Sequence, residues 1–420
     1  MTFPFRKQFW NACLGNLFEH YDTALFGFLS PFLAPYLFPE QEPVTALILT
    51  YAMIPLGMLA RPLGALIFGY IGDAFGRERS LFLTLAGMGL ISGCIALTPT
   101  YLQIGILAPL LFCLGRVLQN FFAAGETMGG AIYILENAPT RHHDWLSGLY
   151  SASAIGGHLL ASMGVYAVSV YFSVEPGWRL LYLFGCITAL FGCTMRRSSV
   201  YRNSGMKFSH TIENLKTTLR DHWKLLLIII LCSGFAHATY SIALVFMNGF
   251  IPLVSTWTKS EVMKINTYLL ILDFCALPFF GWLASKISRE RLMVSVCVTT
   301  LVLSMPLFLS LKGTSLEGII GIRIAFVIFG VAFFAPFHAW AQQLVPENSR
   351  YAVISLGYAI GSQLLGSPTA AIALWSFQKT GMVSSVAWYW MALALASCLS
   401  ILIGVRSTSL TRAKLAISNR

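Results

Sequence analysis

The sequence predicts an all-α membrane protein, with twelve transmembrane helices in two six-helix bundles and both termini in the cytoplasm. Three observations carry the prediction. Of the 420 residues, 56% are hydrophobic and only 11% charged, against about a quarter charged in a soluble domain. Twelve apolar windows are long enough to cross a bilayer, each needing about 20 residues of helix. The 28 basic residues fall mostly on alternate loops. Spans of about 20 to 24 residues then use roughly 240 to 290 positions, which leaves short loops and no soluble domain.

The first window, 13–37, follows Arg6 and Lys7 in the manner of a signal peptide. Glu19, His20 and Asp22 interrupt it and no small-residue cleavage site follows, so an uncleaved span is expected. Windows at 45–71, 81–98, 104–135, 146–172 and 178–195 complete a first bundle, residues 1–195. A polar, basic linker, 196–222, follows. Windows at 223–255, 262–284, 292–311, 317–344, 351–377 and 383–405 make a second bundle, 223–405, and 406–420 is a short tail. The nine cysteines lie scattered in apolar stretches with no CxxC pair, and read as small buried hydrophobes. No metal site and no cofactor is expected.

Placing the N-terminus in the cytoplasm puts 20 of the 28 basic residues on one side and five on the other. The positive-inside rule therefore sets the orientation. The net charge of +11 is then largely the cytoplasmic face, and no nucleic-acid partner is implied. Arg61, Arg116 and Arg323 are the three basic residues left inside spans.

The chain also repeats itself. Phe68-Gly-Tyr-Ile-Gly-Asp-Ala-Phe-Gly-Arg-Glu-Arg79 aligns without gaps to Phe280-Gly-Trp-Leu-Ala-Ser-Lys-Ile-Ser-Arg-Glu-Arg291, 212 residues on. Phe, Gly and Arg-Glu-Arg recur at identical spacing. Two halves in parallel repeat place a substrate site near the midplane between them.

These residues resemble a known family. Gly69-x-x-x-Asp73-x-x-Gly76-Arg77 is similar to the cytoplasmic loop motif of the major facilitator superfamily. Gly15-Asn16-x-x-Glu19-x-x-Asp22, Arg61-Pro62-Leu63-Gly64, Arg116-x-x-Gln119, Gly125-Glu126 and Gly177-Trp178-Arg179 resemble its metabolite:proton symporters, which carry proline/betaine, α-ketoglutarate, citrate and shikimate. The resemblance is good over residues 11–195 and weak beyond. Departures include Ala74 and Glu78 in the loop motif, Ser285 and Ser288 in its second copy, and Asn120 after Gln119. The resemblance implies a bilayer, a small substrate and a proton as partners, a bacterial inner membrane and a monomer.

The charges have a physical reading of their own. Glu19 and Asp22 are three residues apart on one helix face, which Gly15 and Phe26 extend. A carboxylate at mid-span costs about 2.5 to 3.5 kcal/mol, so the face is read as lining a cavity where at least one carboxyl binds a proton. The plainer reading is a structural pair neutralised by Arg116. Arg116 cannot shed its charge and needs an anion; with Gln119 and Asn120 on its face it is read as holding a substrate carboxylate, the alternative being a permanent ion pair. Glu126 lies about 15 Å farther along that helix, in another layer, and is a further candidate for proton coupling.

The second bundle offers His237 with Tyr240 as substrate contacts, and Asp273 with Arg323 as a charge pair for coupling. A lone histidine in a span is more often a packing residue, which applies equally to His338, His20 and His158. Gly69, Asp73, Gly76 and Arg77 are read as a gate, with Asp73 set against the N-terminus of the eleventh helix near Ser349–Tyr351. No HExxH, GxSxG or other nucleophile pattern supports an enzyme. The reading is proton-coupled symport of a small carboxylate-bearing metabolite, either a zwitterion such as proline or betaine or an organic acid, by alternating access. A uniporter, an exchanger, an efflux transporter and a non-transporting sensor are the alternatives.

Overall fold

A computed structural model describes residues 6–64, 67–68, 71, 77–123, 131, 134–135, 138–172, 174–196, 220–311, 316–346 and 349–418. Among them every regular element is helical. The main helices are α1 (Arg6–Leu37), α2 (Pro43–Met58), α3 (Arg77–Ala96), α4 (Leu107–Ala123), α5 (His143–Tyr171), α6 (Val174–Arg196), α7 (Trp223–Tyr240) and α8 (Met247–Val254). They continue as α9 (Lys259–Ile287), α10 (Arg289–Ser310), α11 (Leu316–Phe334), α12 (Phe337–Leu344), α13 (Arg350–Ile360), α14 (Thr369–Thr380) and α15 (Ser385–Ser418). Helices are what an apolar chain must form in lipid, because only they satisfy every backbone group within one segment. Seven helical stretches among the described residues are long and apolar enough to cross a membrane, from Pro43–Gly64 to Ser385–Gly404, and Leu107–Ala123 is apolar but shorter. The chain is a multi-pass integral membrane protein.

Several of the apolar windows are not uninterrupted α-helices among the described residues. In 317–344, Pro336 supplies no N–H and the helix divides into α11 and α12 around it. In 223–255 and 351–377, π-helical turns stand at Ser241–Phe246 and Gly361–Gly366. The second turn has a packing reason. Gly357, Gly361 and Gly366 all face α7, opposite Ile229, the Ile230 carbonyl and His237 respectively. A regular α-helix would carry Gly366 off that face; the wider π turn brings it back.

The helices gather into two compact units. The first comprises Met1–Gly130, Tyr150–Asn214 and Ile242–Cys275, and the second Ala131–Leu149, Leu215–Ser241 and Ala276–Arg420. In the first, α1 packs on α2, α4, α6 and α8, and α3 lies along α6. Its tightest approach is at Gly157, where α5 meets α1 backbone to backbone: a Cβ there would lie 2.8 Å from the Tyr21 nitrogen and closer still to the Leu17 carbonyl. In the second unit, α7 packs on α11, α13, α15 and the Gly361–Gly366 turn. Gly148 approaches the Leu277 carbonyl, and Gly281 the Asp144 carbonyl, each at 2.6 Å for a built Cβ.

The cysteines depart in part from the sequence expectation. Cys13, Cys232, Cys297 and Cys398 are buried, whereas Cys94 and Cys275 are exposed. A thiol is apolar enough to face hydrocarbon as readily as a protein core. The second copy of the loop motif explains one departure in the repeat. Ser288 stands where the first copy has Gly76, and it adopts φ 115°, a conformation that favours glycine. Its hydroxyl accepts a hydrogen bond from the Arg291 N–H at 3.3 Å, capping α10.

Both backbone features can be tested by melting. Gly157→Ala forces α1 and α5 apart and lowers the melting temperature of purified protein, with an overpacking cost of about 1 to 3 kcal/mol; Gly321→Ala, with nothing within 4 Å of its built Cβ, leaves it level or raises it. Ser288→Gly relieves the left-handed strain and gains about 1 kcal/mol, less a few tenths for the lost cap, seen as a modest rise in the same melting scan.

Candidate functional site

The charges of the first unit meet on one side of α1. Glu19 is 3% exposed, and Asp22 and Arg116 are 2% exposed each. Their partners are not shared as the three-residue spacing suggests. Glu19 reaches Arg61, with Oε1 and Nη2 3.9 Å apart. Arg61 Nε donates to Asn120 Oδ1 at 3.0 Å, and Asn120 Nδ2 donates to the Arg116 carbonyl at 2.9 Å. Gly57 lets this happen: a Cβ there would lie 3.0 Å from Asn120 Nδ2.

Asp22 stands on a second branch. Its Oδ1 accepts from Ser92 Oγ at 3.5 Å, Ser92 Oγ accepts from Gln119 Nε2 at 2.8 Å, and Gln119 Oε1 accepts from Arg116 Nη1 at 2.5 Å. Arg116 also donates to the Asp22 backbone carbonyl at 3.4 Å and lies over the Phe26 ring, 4.9 Å from its centre. Phe26 in turn packs on Phe112, which carries Trp178 and Tyr182 edge-on. Gly185 on α6 gives the Asp22 carboxylate its space, since a Cβ there would overlap Oδ1.

The electrostatics are unusual in one respect. Arg116 is buried with an amide, a backbone carbonyl and a ring face for company, and no carboxylate of the described residues lies within ion-pair distance. Its Nε has no hydrogen-bond partner among the described residues. Tyr182 lies close enough to interact with it electrostatically, without a hydrogen bond of normal geometry. A permanent cation in a low-dielectric interior is costly unless it is paired.

The structure thus brings together Glu19, Asp22, Arg116, Gln119 and Asn120 of the expected residues. Arg61, Ser92, Tyr182 and Gly185 complete the cluster. Arg61 had a signal in the sequence, being a charge inside a span; Ser92 and Gly185 had none. His20 and His158 face each other with ring centres 5.5 Å apart, each Nδ1 near the carbonyl four residues back, Asn16 and Ala154. Asp273 is buried in the first unit, and His237, Tyr240 and Arg323 belong to the second. Gly69, Asp73, Gly76 and Glu126, and the side chain of Arg77, lie outside the described residues.

The second unit holds an ion pair that sequence reasoning did not single out. Arg289, from the second loop-motif copy, grips Asp144 at the start of α5 through Nε to Oδ1 at 2.5 Å and Nη2 to Oδ2 at 3.1 Å. Its Nη1 donates to Gln343 Oε1 at 2.6 Å and to the Ala339 carbonyl at 3.2 Å. The bidentate geometry suits a guanidinium and not an ammonium.

Comparison with known proteins agrees with this architecture. The chain is 27% identical over 417 residues to the glycine betaine/proline/ectoine/pipecolic acid transporter OusA of Dickeya dadantii, covering 94% of this chain and 82% of the relative. It is 27% identical to the citrate-proton symporter of Salmonella typhi, over 91% of this chain and 89% of the relative. Among solved structures it resembles a D-xylose-proton symporter with a TM-score of 0.75 at 16% identity, covering 94% of this chain and 96% of that one. The model of the Major Facilitator Superfamily matches residues 12–366. An all-helical fold shared with a proton symporter, relatives aligned over nearly the whole chain, and a family match through most of its length agree: the chain belongs to the Major Facilitator Superfamily.

Proposed function

We propose that this protein is a secondary active transporter of the bacterial inner membrane, which moves a small carboxylate-bearing metabolite together with a proton by alternating access of two six-helix bundles. The observation that carries the reading is the buried guanidinium of Arg116, which has neutral partners only among the described residues. Such a charge is best satisfied by an anionic group of a ligand, and a guanidinium offers a carboxylate two parallel donors. Proline, betaine and citrate, the substrates for which these relatives are named, all bear carboxylates.

The two branches of the cluster divide the labour between the carboxyls of α1. Glu19 is held by Arg61 and belongs to the frame. The Asp22 carboxylate has no guanidinium within ion-pair distance among the described residues, accepts a long hydrogen bond from Ser92 and sits in space made by Gly185. These features support reading Asp22 as the group that takes and releases the proton. His237, Tyr240, Asp273, Arg323 and Glu126 are further candidates for contact and coupling, and the loop residues Gly69, Asp73, Gly76 and Arg77 for the cytoplasmic gate.

Uptake of radiolabelled proline, glycine betaine and citrate into proteoliposomes, with and without an imposed inward proton gradient, tests the reading. At least one compound should accumulate with the gradient and fail to do so without it; indifference of all three to the gradient would sink proton coupling. Asp22→Asn is expected to abolish gradient-driven accumulation, and full accumulation by that variant would remove Asp22 from the proton site. Arg116→Lys loses bidentate recognition worth about 2 kcal/mol, a fall in apparent affinity of roughly 30-fold. Gly185→Ala pushes a methyl group onto the Asp22 carboxylate and is expected to depress accumulation in the same assay, whereas Gly321→Ala leaves it at the wild-type level.

A further inference from the structure

The chain of hydrogen bonds between Arg116 and Asp22 has a direction that chemistry imposes. A guanidinium only donates, so Gln119 must present Oε1 to Arg116 and therefore Nε2 to Ser92. The Ser92 oxygen is then an acceptor toward Gln119, and its hydrogen is left for Asp22 Oδ1. The adjacent amide is fixed in the same way: Asn120 Oδ1 faces Arg61 and its Nδ2 faces the Arg116 carbonyl. Unlike Asn120, however, Gln119 is held by a guanidinium with no anion of its own among the described residues.

We infer that Gln119 and Ser92 are a switchable relay, which couples occupation of Arg116 by a substrate carboxylate to protonation of Asp22. The inference rests on the symport reading above. With no substrate, the chain runs from Arg116 through Gln119 and Ser92 to an ionised Asp22. When a carboxylate draws Arg116 away, Gln119 Oε1 loses its donor and the amide turns over. Its Nε2 then donates to the substrate carboxylate, and its Oε1 accepts from Ser92. Ser92 can no longer donate to Asp22 and offers it a lone pair. Asp22 satisfies that lone pair by taking a proton from a hydronium ion on the proton-rich side, which is left as water, so that its O–H donates to Ser92 Oγ. One proton enters with one substrate and leaves when the substrate leaves, and no other bond is made or broken. The 3.5 Å separation of Ser92 and Asp22 is the longest side-chain step of the chain.

Other titratable groups facing α1 have partners of their own: Tyr21 on α1 donates to the Leu181 carbonyl at 2.9 Å, and Tyr51 on α2 to the Val245 carbonyl at 2.8 Å. Arg61, between α2 and α3, is engaged by Glu19 and Asn120. Tyr182 on α6 faces Arg116. His158 on α5 faces His20 rather than Asp22. Lys259 on α9 donates to the Pro31 carbonyl, more than two turns farther along α1, and α8 carries no titratable residue. Gln119 and Ser92 are therefore positioning residues, acting through Arg116 and Asp22.

The decisive measurement is the number of protons taken up per substrate bound, from calorimetry of purified full-length protein in buffers of different ionisation enthalpy. The probe is whichever of proline, glycine betaine and citrate the wild type accumulates, with citrate corrected for its own protonation. Wild type should take up close to one proton on binding at a pH where Asp22 is ionised, equivalent to a roughly tenfold change in affinity per pH unit. Ser92→Ala and the near-isosteric Gln119→Met should bring uptake near zero, and Ser92→Thr should restore it; a merely structural serine would change affinity without changing the proton count. Retention of the wild-type count by both Ser92→Ala and Gln119→Met overturns the relay. Asp22→Asn separates the two levels: if it abolishes uptake while those variants keep it, the relay alone is wrong. If Asp22→Asn also keeps uptake, or if no probe is accumulated, the symport site itself is wrong and the relay falls with it.

Discussion

A guanidinium keeps its charge in any surroundings, and the interior of a membrane protein penalises every charge it holds. Arg116 sits under that constraint, and much of the first unit is arranged around it. Phe26 gives it a ring face, Gln119 an amide oxygen and α1 a backbone carbonyl. None of these is an anion. The neighbouring arginine, Arg61, is treated in the opposite way, with Glu19 near it and Asn120 beside it. Two neighbouring cations thus have different surroundings, one near a carboxyl and one with neutral partners among the described residues.

Glycines supply the closeness that such a cluster needs. Gly157 brings α5 against the backbone of α1, Gly57 admits the Asn120 amide, and Gly185 clears the volume that the Asp22 carboxylate occupies. Association of helices in lipid gains little from the hydrophobic effect, so packing at small residues and interhelical hydrogen bonds must do more. The second unit follows the same rule at Gly148 and Gly281, and at the Gly357, Gly361 and Gly366 face of α13 and its π turn. There the helix changes its own pitch to keep three glycines in line.

Much of the fold was legible because a bilayer allows few solutions. Apolar windows of span length become helices, and two of the breaks within them have local causes, Pro336 at one and a glycine face at the other. Most of the candidate site was legible for a related reason. Glu19, Asp22, Arg61 and Arg116 stand out as charges in apolar stretches, and a charge in that place needs a purpose or a partner. Ser92, Tyr182 and Gly185 do not stand out, since a serine, a tyrosine or a glycine in a span is ordinary.

What the sequence determined by itself was the solvent the chain lives in, the helical character of its segments and the identity of the charges that must be accommodated. Those follow from composition and from the cost of an unpaired polar group in hydrocarbon, which are properties of residues taken singly. Only the tertiary structure decided the pairing. Helix periodicity places Glu19 and Asp22 on one face and suggests that at least one of them binds a proton, but which guanidinium meets which carboxyl depends on how the other helices approach α1. Hydrogen bonds act over a few ångströms, and the residues that share them here are separated by tens of positions in the chain. The direction of the chain from Arg116 to Asp22 likewise exists only once four side chains from three helices are in contact.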